Sequence, residues 1–142
     1  MNFIFSFVLS MFVLAGVQSL EMAPMKKNGK GAEIRFLAHQ PVHLNNSAFI
    51  GHLTVPAKGK VPLHRDASEE YLYVLEGQGT LWIEGQNYFI KKDDLVFMPA
   101  NVEVRFENGD KPLKALQVFA PQGPEEKYDD WKMPVKPGVK GK

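Results

Sequence analysis

Between Glu33 and Ala120 the chain is a succession of short apolar or alternating runs, EIRFLA, SAFIGHLTV, VPLH, YLYVLE, TLWIE, NYFI, LVFMP, VEVRFE and LKALQVF, each closed off by Gly, Pro, Asn or Asp. Runs of this length and composition read as strands. No stretch of ten or more residues combines apolar spacing at i, i+3, i+4 and i+7 with helix caps, which argues against a helical layer. The pattern predicts an all-β domain of eight or nine antiparallel strands closed into a sandwich or barrel. Gly77-Gln78-Gly79 lies between two strongly β-forming runs and predicts a tight hairpin, because glycine supplies the positive φ such turns require.

The flanks differ from this centre. Residues 1–19 contain an apolar run from Phe3 to Val17 and end in small residues at the Val17-x-Ser19 spacing, which predicts a secretory signal cleaved after Ser19 and a periplasmic or secreted protein. The run falls short of the roughly 20 apolar residues that a membrane span needs, so no stable span remains after cleavage. It has no Lys or Arg ahead of it, and retention as an N-terminal anchor is the alternative. Residues 20–32 read as a flexible lead-in, 33–131 as the folded domain, and 132–142 as a flexible basic tail. With 17 Lys+Arg against 16 Asp+Glu there is no basic field to attract nucleic acid. The absence of cysteine excludes disulfides, thiolate metal sites and a cysteine nucleophile. Asn45-Asn46-Ser47 is a glycosylation triplet only in a cell that glycosylates exported chains.

Chemistry concentrates in the segment from Gly59 to Gly77. Side chains alternate along a strand, so His64 and Asp66 share a face, and Glu70 joins them if the strand returns through a short bend. Polar groups on an inward face must be satisfied by hydrogen bonds, water, a ligand or a metal, since an unpaired buried carboxylate is very costly. Along VEVRFE, Val104 shares the apolar face with Val102 and Phe106 and is expected to point inward.

This segment resembles the first motif of the cupin family, usually written G-x5-H-x-H-x3,4-E-x6-G, with His64, Glu70 and Gly77 at the positions of its first histidine, glutamate and closing glycine. Residues 85–108 resemble the second motif, with Asp94, Pro99 and Asn108 in place, and residues 118–131 resemble the segment after the last barrel strand. The resemblance spans about residues 47–131 and implies a cupin-type double-stranded β-helix, a jelly-roll-like antiparallel barrel. It also exposes departures. Asp66 stands where the first motif has its second histidine and Val104 where the second motif has its histidine, which removes two imidazoles from the family's usual metal site. The spacing before His64 is one residue short, and Asp93 and Asn101 stand where glycines are usual.

Two functional readings follow, and fold alone does not choose between them. In the first, the barrel binds a small molecule without a full metal site, with His64, Asp66 and Glu70 as its polar pole and Val104 on its apolar wall. In the second, the chain is a dioxygenase- or isomerase-type enzyme in which His64, Asp66 and Glu70 hold a divalent ion such as Fe, Mn, Ni or Zn. A third class, a structural protein whose barrel is only core, is kept beside them. His52 is a remote candidate for an extra nitrogen, while His39 and His43 read as solvated or capping residues. Tyr71, Tyr73, Trp82, Phe89, Phe97 and Phe106 could line the cavity, fill the core or form an outward face buried in a homodimer.

Overall fold

A computed structural model of the chain describes residues 16–38 and 47–134. The expected leader apart from its last residues, His39, His43, Asn45, Asn46 and the tail beyond Pro134 lie outside the described residues. Ten strands form: β1 (Met25–Lys27), β2 (Glu33–Ala38), β3 (Phe49–Val55), β4 (Lys60–His64), β5 (Glu69–Glu76), β6 (Gln78–Ile83), β7 (Gln86–Lys91), β8 (Leu95–Met98), β9 (Val104–Asn108) and β10 (Leu113–Ala120). All nine expected runs are strands, and the all-β fold class holds. One short 3-10 segment, Pro124–Tyr128, follows β10.

The strands make two antiparallel sheets, β1-β2-β3-β10-β5-β8 and β4-β9-β6-β7. Strand alternation explains the layering. In β10, Leu113, Ala115, Gln117 and Phe119 are buried while the residues between them are only partly covered, and β3 buries Phe49, Gly51, Leu53 and Val55 in the same rhythm. Phe49 stacks on Phe119 with ring centroids 5.8 Å apart and meets Phe36 edge-on at 5.6 Å. Such pairs add roughly 0.5–1.5 kcal/mol to the burial of each ring, so this aromatic group is a packed anchor of the sandwich.

Most of the aromatic residues singled out from the sequence face away from the interior. Tyr73, Leu95 and Phe97 lie exposed on the outer face of β5 and β8, where Tyr71 packs on Phe97 at 5.1 Å. Trp82 lies under the Arg105 guanidinium, 3.6 Å from its ring centre, and Phe89 is exposed. Of the six, Phe106 alone is buried.

Two expectations are corrected. The lead-in is not unpaired throughout: Met25–Lys27 is strand β1, in register with Arg35, Ile34 and Glu33 of β2, and Lys27 also bridges Lys132. Its sequence, MKK, shows no apolar alternation because the strand is held from outside the core, by ion pairs from Lys26 to Asp129 at 2.9 Å and from Lys27 to Glu33 at 3.1 Å. Nor is Gly77-Gln78-Gly79 a hairpin. β5 pairs with β10 and β8, and β6 with β7 and β9, so the chain crosses from one sheet to the other at Gly77. The two-residue hairpin is Glu84-Gly85 between β6 and β7, where φ is 49° and 80°, the sign that twist-matched turns need at both positions.

The crossing leaves no room for a side chain. At Gly77 φ is 86°, and a Cβ would lie 2.5 Å from the Pro112 carbonyl oxygen, whereas a Cβ at Gly85 meets nothing within 4 Å despite φ of 80°. Gly77→Ala is therefore expected to cost about 2–4 kcal/mol, from left-handed strain plus a backbone clash, and Gly85→Ala about 1 kcal/mol from strain alone. Urea denaturation of the two variants checks this; equal losses would mean that the crossing is not sterically closed.

Candidate functional site

Between the two sheets lies a cavity of about 1200 Å3, open to solvent on one side. Its apolar wall comes from both sheets, with Leu53, Leu72 and Met98 on one side and Leu81, Val104 and Phe106 on the other. His64, Asp66, Glu70 and Val104, the residues expected to form the pocket, all line it. Val104 is 7% exposed and sits across from His64 in the β4–β9 register, as its alternation on VEVRFE requires.

Local backbone bonds put the polar residues at one pole. β4 ends at His64, the chain bends through Arg65–Ser68, and β5 opens with Glu69 facing out and Glu70 facing in. The bend is pinned from the β8–β9 connection. The Asn101 N–H donates to the Asp66 carbonyl at 2.7 Å, and Arg65 donates to the Asn101 carbonyl and to Glu103 at 2.7 Å. Asn101 has φ of 65°, and Asp93 φ of 72°, so the two positions where glycines were expected are left-handed, a conformation Asn and Asp tolerate better than most residues.

The pole has two layers. In the inner one, Gln117 Nε2 donates to Glu70 Oε1 at 2.7 Å and the Tyr128 hydroxyl donates to Gln117 Oε1 at 2.6 Å. Glu70 is 6% exposed. Burial holds its carboxyl above the usual range although Gln117 favours the charged form, and burial likewise raises the Tyr128 phenol. In the outer layer, Lys127 Nζ donates to both Asp66 oxygens at 2.8 Å, and His64 Nε2 stands 3.4 Å from Asp66 Oδ2. His64 Nδ1 is 2.8 Å from the Pro62 carbonyl, which can only accept, so that nitrogen carries a hydrogen. Both ring nitrogens thus face oxygens. The Asp66 contact raises the His64 pKa, outweighing its partial burial. Burial works against charge on Asp66, but hydrogen bonds from His64 and Lys127 prevail and hold it below the usual carboxylate range.

This arrangement does not fit the expected metal centre. Among the described residues no three His, Asp or Glu side chains are grouped to hold an ion. The reason lies in the donors: Asp66 gives both oxygens to an ammonium group, and Glu70 is turned onto Gln117. His52 cannot supplement them, because it alternates with the buried Gly51 and Leu53 and lies on the outer face opposite Arg35 and Leu116. Gln117 and Lys127 were not singled out from the sequence. The parity of LKALQVF puts Gln117 among inward-facing apolar residues, and that polar interruption was the available signal; Lys127, on a 3-10 turn, gave none.

The inner layer makes two checkable predictions. Gln117→Leu leaves a carboxyl and a phenol without a partner and is expected to cost about 2–5 kcal/mol, read from chemical denaturation. Glu70→Gln keeps the shape but removes the ionisable group. In the wild type the folded state retains a proton that the unfolded chain loses near the ordinary value of 4.5, so folding stability falls as pH rises through the window above it. Below that window the two proteins differ by a constant, and across it the variant gains on the wild type. His64 and Asp66 titrate in both and largely cancel. Melting temperatures from pH 4 to 8 that run parallel would show that Glu70 is not held protonated.

Residues 51–119 match the model of the cupin domain family. The chain is 33% identical over 88 residues to protein MJ1618 of Methanocaldococcus jannaschii, a match covering 61% of this chain and 70% of that one. Among solved structures, an RmlC-like cupin from Shewanella frigidimarina superposes with a TM-score of 0.67 at 16% identity, over 77% of this chain and 93% of the other. A predicted oxalate decarboxylase from Thermotoga maritima superposes at 0.65 and 24% identity, over 76% of this chain and all of the other. Those identities speak to the fold. Together with the two antiparallel sheets and the paired motifs around His64 and Asn108, they establish that this chain belongs to the cupin family.

Proposed function

We propose that this protein is exported and that it binds a small organic molecule inside its barrel, held by side chains and not by a bound metal. The observation that carries this reading is a roomy cavity with apolar walls and a polar pole built from His64, Asp66, Glu70, Gln117 and Lys127. Cavities of this kind bury most of a ligand's surface and use a few polar groups to orient it. Glu70, Gln117 and Tyr128 are hydrogen-bonded to one another, and Asp66 to Lys127, so the pole holds together with nothing bound. Export is supported by the apolar segment from Phe3 to Val17 and the small residues before Leu20.

Thermal-shift screening of the purified protein in the presence of a chelator tests the binding reading. A ligand at a hundred times its Kd adds about 2.7 kcal/mol, a shift of several degrees for a domain of this size. Val104→Trp, which pushes an indole into the cavity, is expected to abolish that shift. No stabilisation by any small molecule, or stabilisation that the chelator removes, would reject the reading. Export is checked by N-terminal sequencing of the protein made in its own cells: a mature chain starting at Leu20 in the medium or periplasm is expected, and an intact Met1 on cytoplasmic protein contradicts it.

A further inference from the structure

Lys127 is the feature of the cavity that the family motifs do not explain. It stands on the 3-10 segment after the last strand, one residue before the buried Tyr128, and lines the cavity with its ammonium group 4.7 Å from the centre of the Phe119 ring. An ammonium has three hydrogens. Asp66 takes two of them, and among the described residues no third acceptor is bonded to it. Beside it, the Glu70 carboxyl accepts from Gln117 through Oε1, and no hydrogen bond is made to its Oε2 among the described residues. The Lys127 ammonium therefore keeps one donor free of a hydrogen bond at the cavity.

Charge points the same way. The cavity lining contains Lys30, Lys58, Lys60, Arg65 and Lys127, together with His64, against two acidic residues, Asp66 and Glu70. Lys58, Lys60 and Arg65, with side chains 81%, 70% and 52% exposed, are paired with Asp110, Glu107 and the pair Glu84 and Glu103, so they belong to the outer rim and Lys127 is the cation at the pole. An acceptor-bearing anion is the complement of this pole, and the leucine, methionine and phenylalanine walls require that it be attached to an apolar body.

We infer that Lys127 is the specificity-determining residue of the pocket and that the ligand is an organic carboxylate with an apolar body, its carboxylate received by the Lys127 ammonium and its body lying against Leu81, Val104 and Phe106. The inference rests on the barrel-binding reading above and narrows it to one chemical class. It adds a residue that both family motifs leave out. No bond is made or broken in this step; the anion accepts the one ammonium hydrogen that Asp66 leaves over.

Isothermal titration of the purified protein with hexanoate, 1-hexanol and hexylamine tests it, since the three share a body and differ in the head. Hexanoate is expected to bind at least about ten-fold more tightly than the other two, the range that one charge-assisted hydrogen bond supplies. Lys127→Met is expected to remove that preference while hexanol binding stays the same, and Lys127→Arg to retain it. Because Lys127→Met leaves Asp66 without its cation, the double variant Lys127→Met with Asp66→Asn gives the same comparison in a pole free of that imbalance. Hexanol binding as tightly as hexanoate, or a hexanoate preference that survives both methionine variants, overturns the inference and leaves barrel binding standing. No binding by any of the three overturns both.

Discussion

A carboxyl group almost fully buried between two sheets is the constraint around which this protein is arranged. Glu70 enters the interior because β5 alternates strictly, and a charged or unpaired carboxyl there would cost several kcal/mol. Gln117 resolves the problem in the only way an amide can serve two partners at once, its nitrogen donating to Glu70 and its oxygen accepting from Tyr128. Three elements are tied by two short bonds: β5, the β10 strand beside it, and the 3-10 segment that follows β10. The aromatic group of Phe36, Phe49, Phe119 and Tyr128 packs around the same junction, so the polar chain and the hydrophobic anchor reinforce one another.

Fixing Tyr128 also fixes its neighbour. Lys127 precedes it in a segment too short to be stable by itself, and its place at the cavity follows from the burial of the phenol beside it and the packing of Trp131 on that ring at 4.9 Å. The other half of the outer layer is positioned independently. Asp66 is held through its backbone by Asn101 and through the Arg65 clamp to Glu84 and Glu103. Two rigid supports thus bring a carboxylate and an ammonium to within 2.8 Å, and the His64 imidazole completes the row. The pole is preorganised by bonds that lie outside it.

How much of this could be read in the sequence depends on whether the signal was local. Strands β2, β3, β5, β9 and β10 were legible because each buries one face and so leaves a period of two, and the inward direction of Val104 followed from that rule without knowledge of its neighbours, whereas β4 and β7, which bury almost nothing, showed only as short runs between turn residues. β1 was not, because a strand held by edge bonds and surface ion pairs carries no apolar period. Gly77 was read correctly as a left-handed glycine and wrongly as a hairpin: a positive φ says that the chain turns, and only the pairing partners say whether it turns back or crosses to another sheet. The grouping of His64, Asp66 and Glu70 at one cavity was visible by parity. Their division into two layers was not, since it depends on Gln117 and Lys127, which lie 47 and 61 residues further along the chain.

The departures from the family motifs then become one physical change instead of several. An imidazole at position 66, where the first motif has its second histidine, would place a second weakly basic ring beside His64 and could not accept the paired hydrogens of an ammonium. Asp66 accepts both, and by doing so makes a lysine tolerable at a site that is half buried. Val104 removes a further nitrogen from the opposite strand and supplies hydrocarbon where an apolar ligand body would rest. Each of the three residues is poorly suited to the cavity without the others. Asp66 alone would be a carboxylate against burial, Lys127 alone an unmatched cation, and a polar residue at 104 would interrupt the wall shared with Leu81 and Phe106. Together they set an ammonium hydrogen donor where the family motifs would bring imidazole nitrogens, while the turns at Gly77, Asp93 and Asn101 and the Asn108 amide, which donates to the carbonyls of Val55 and Pro56, keep the barrel that frames it.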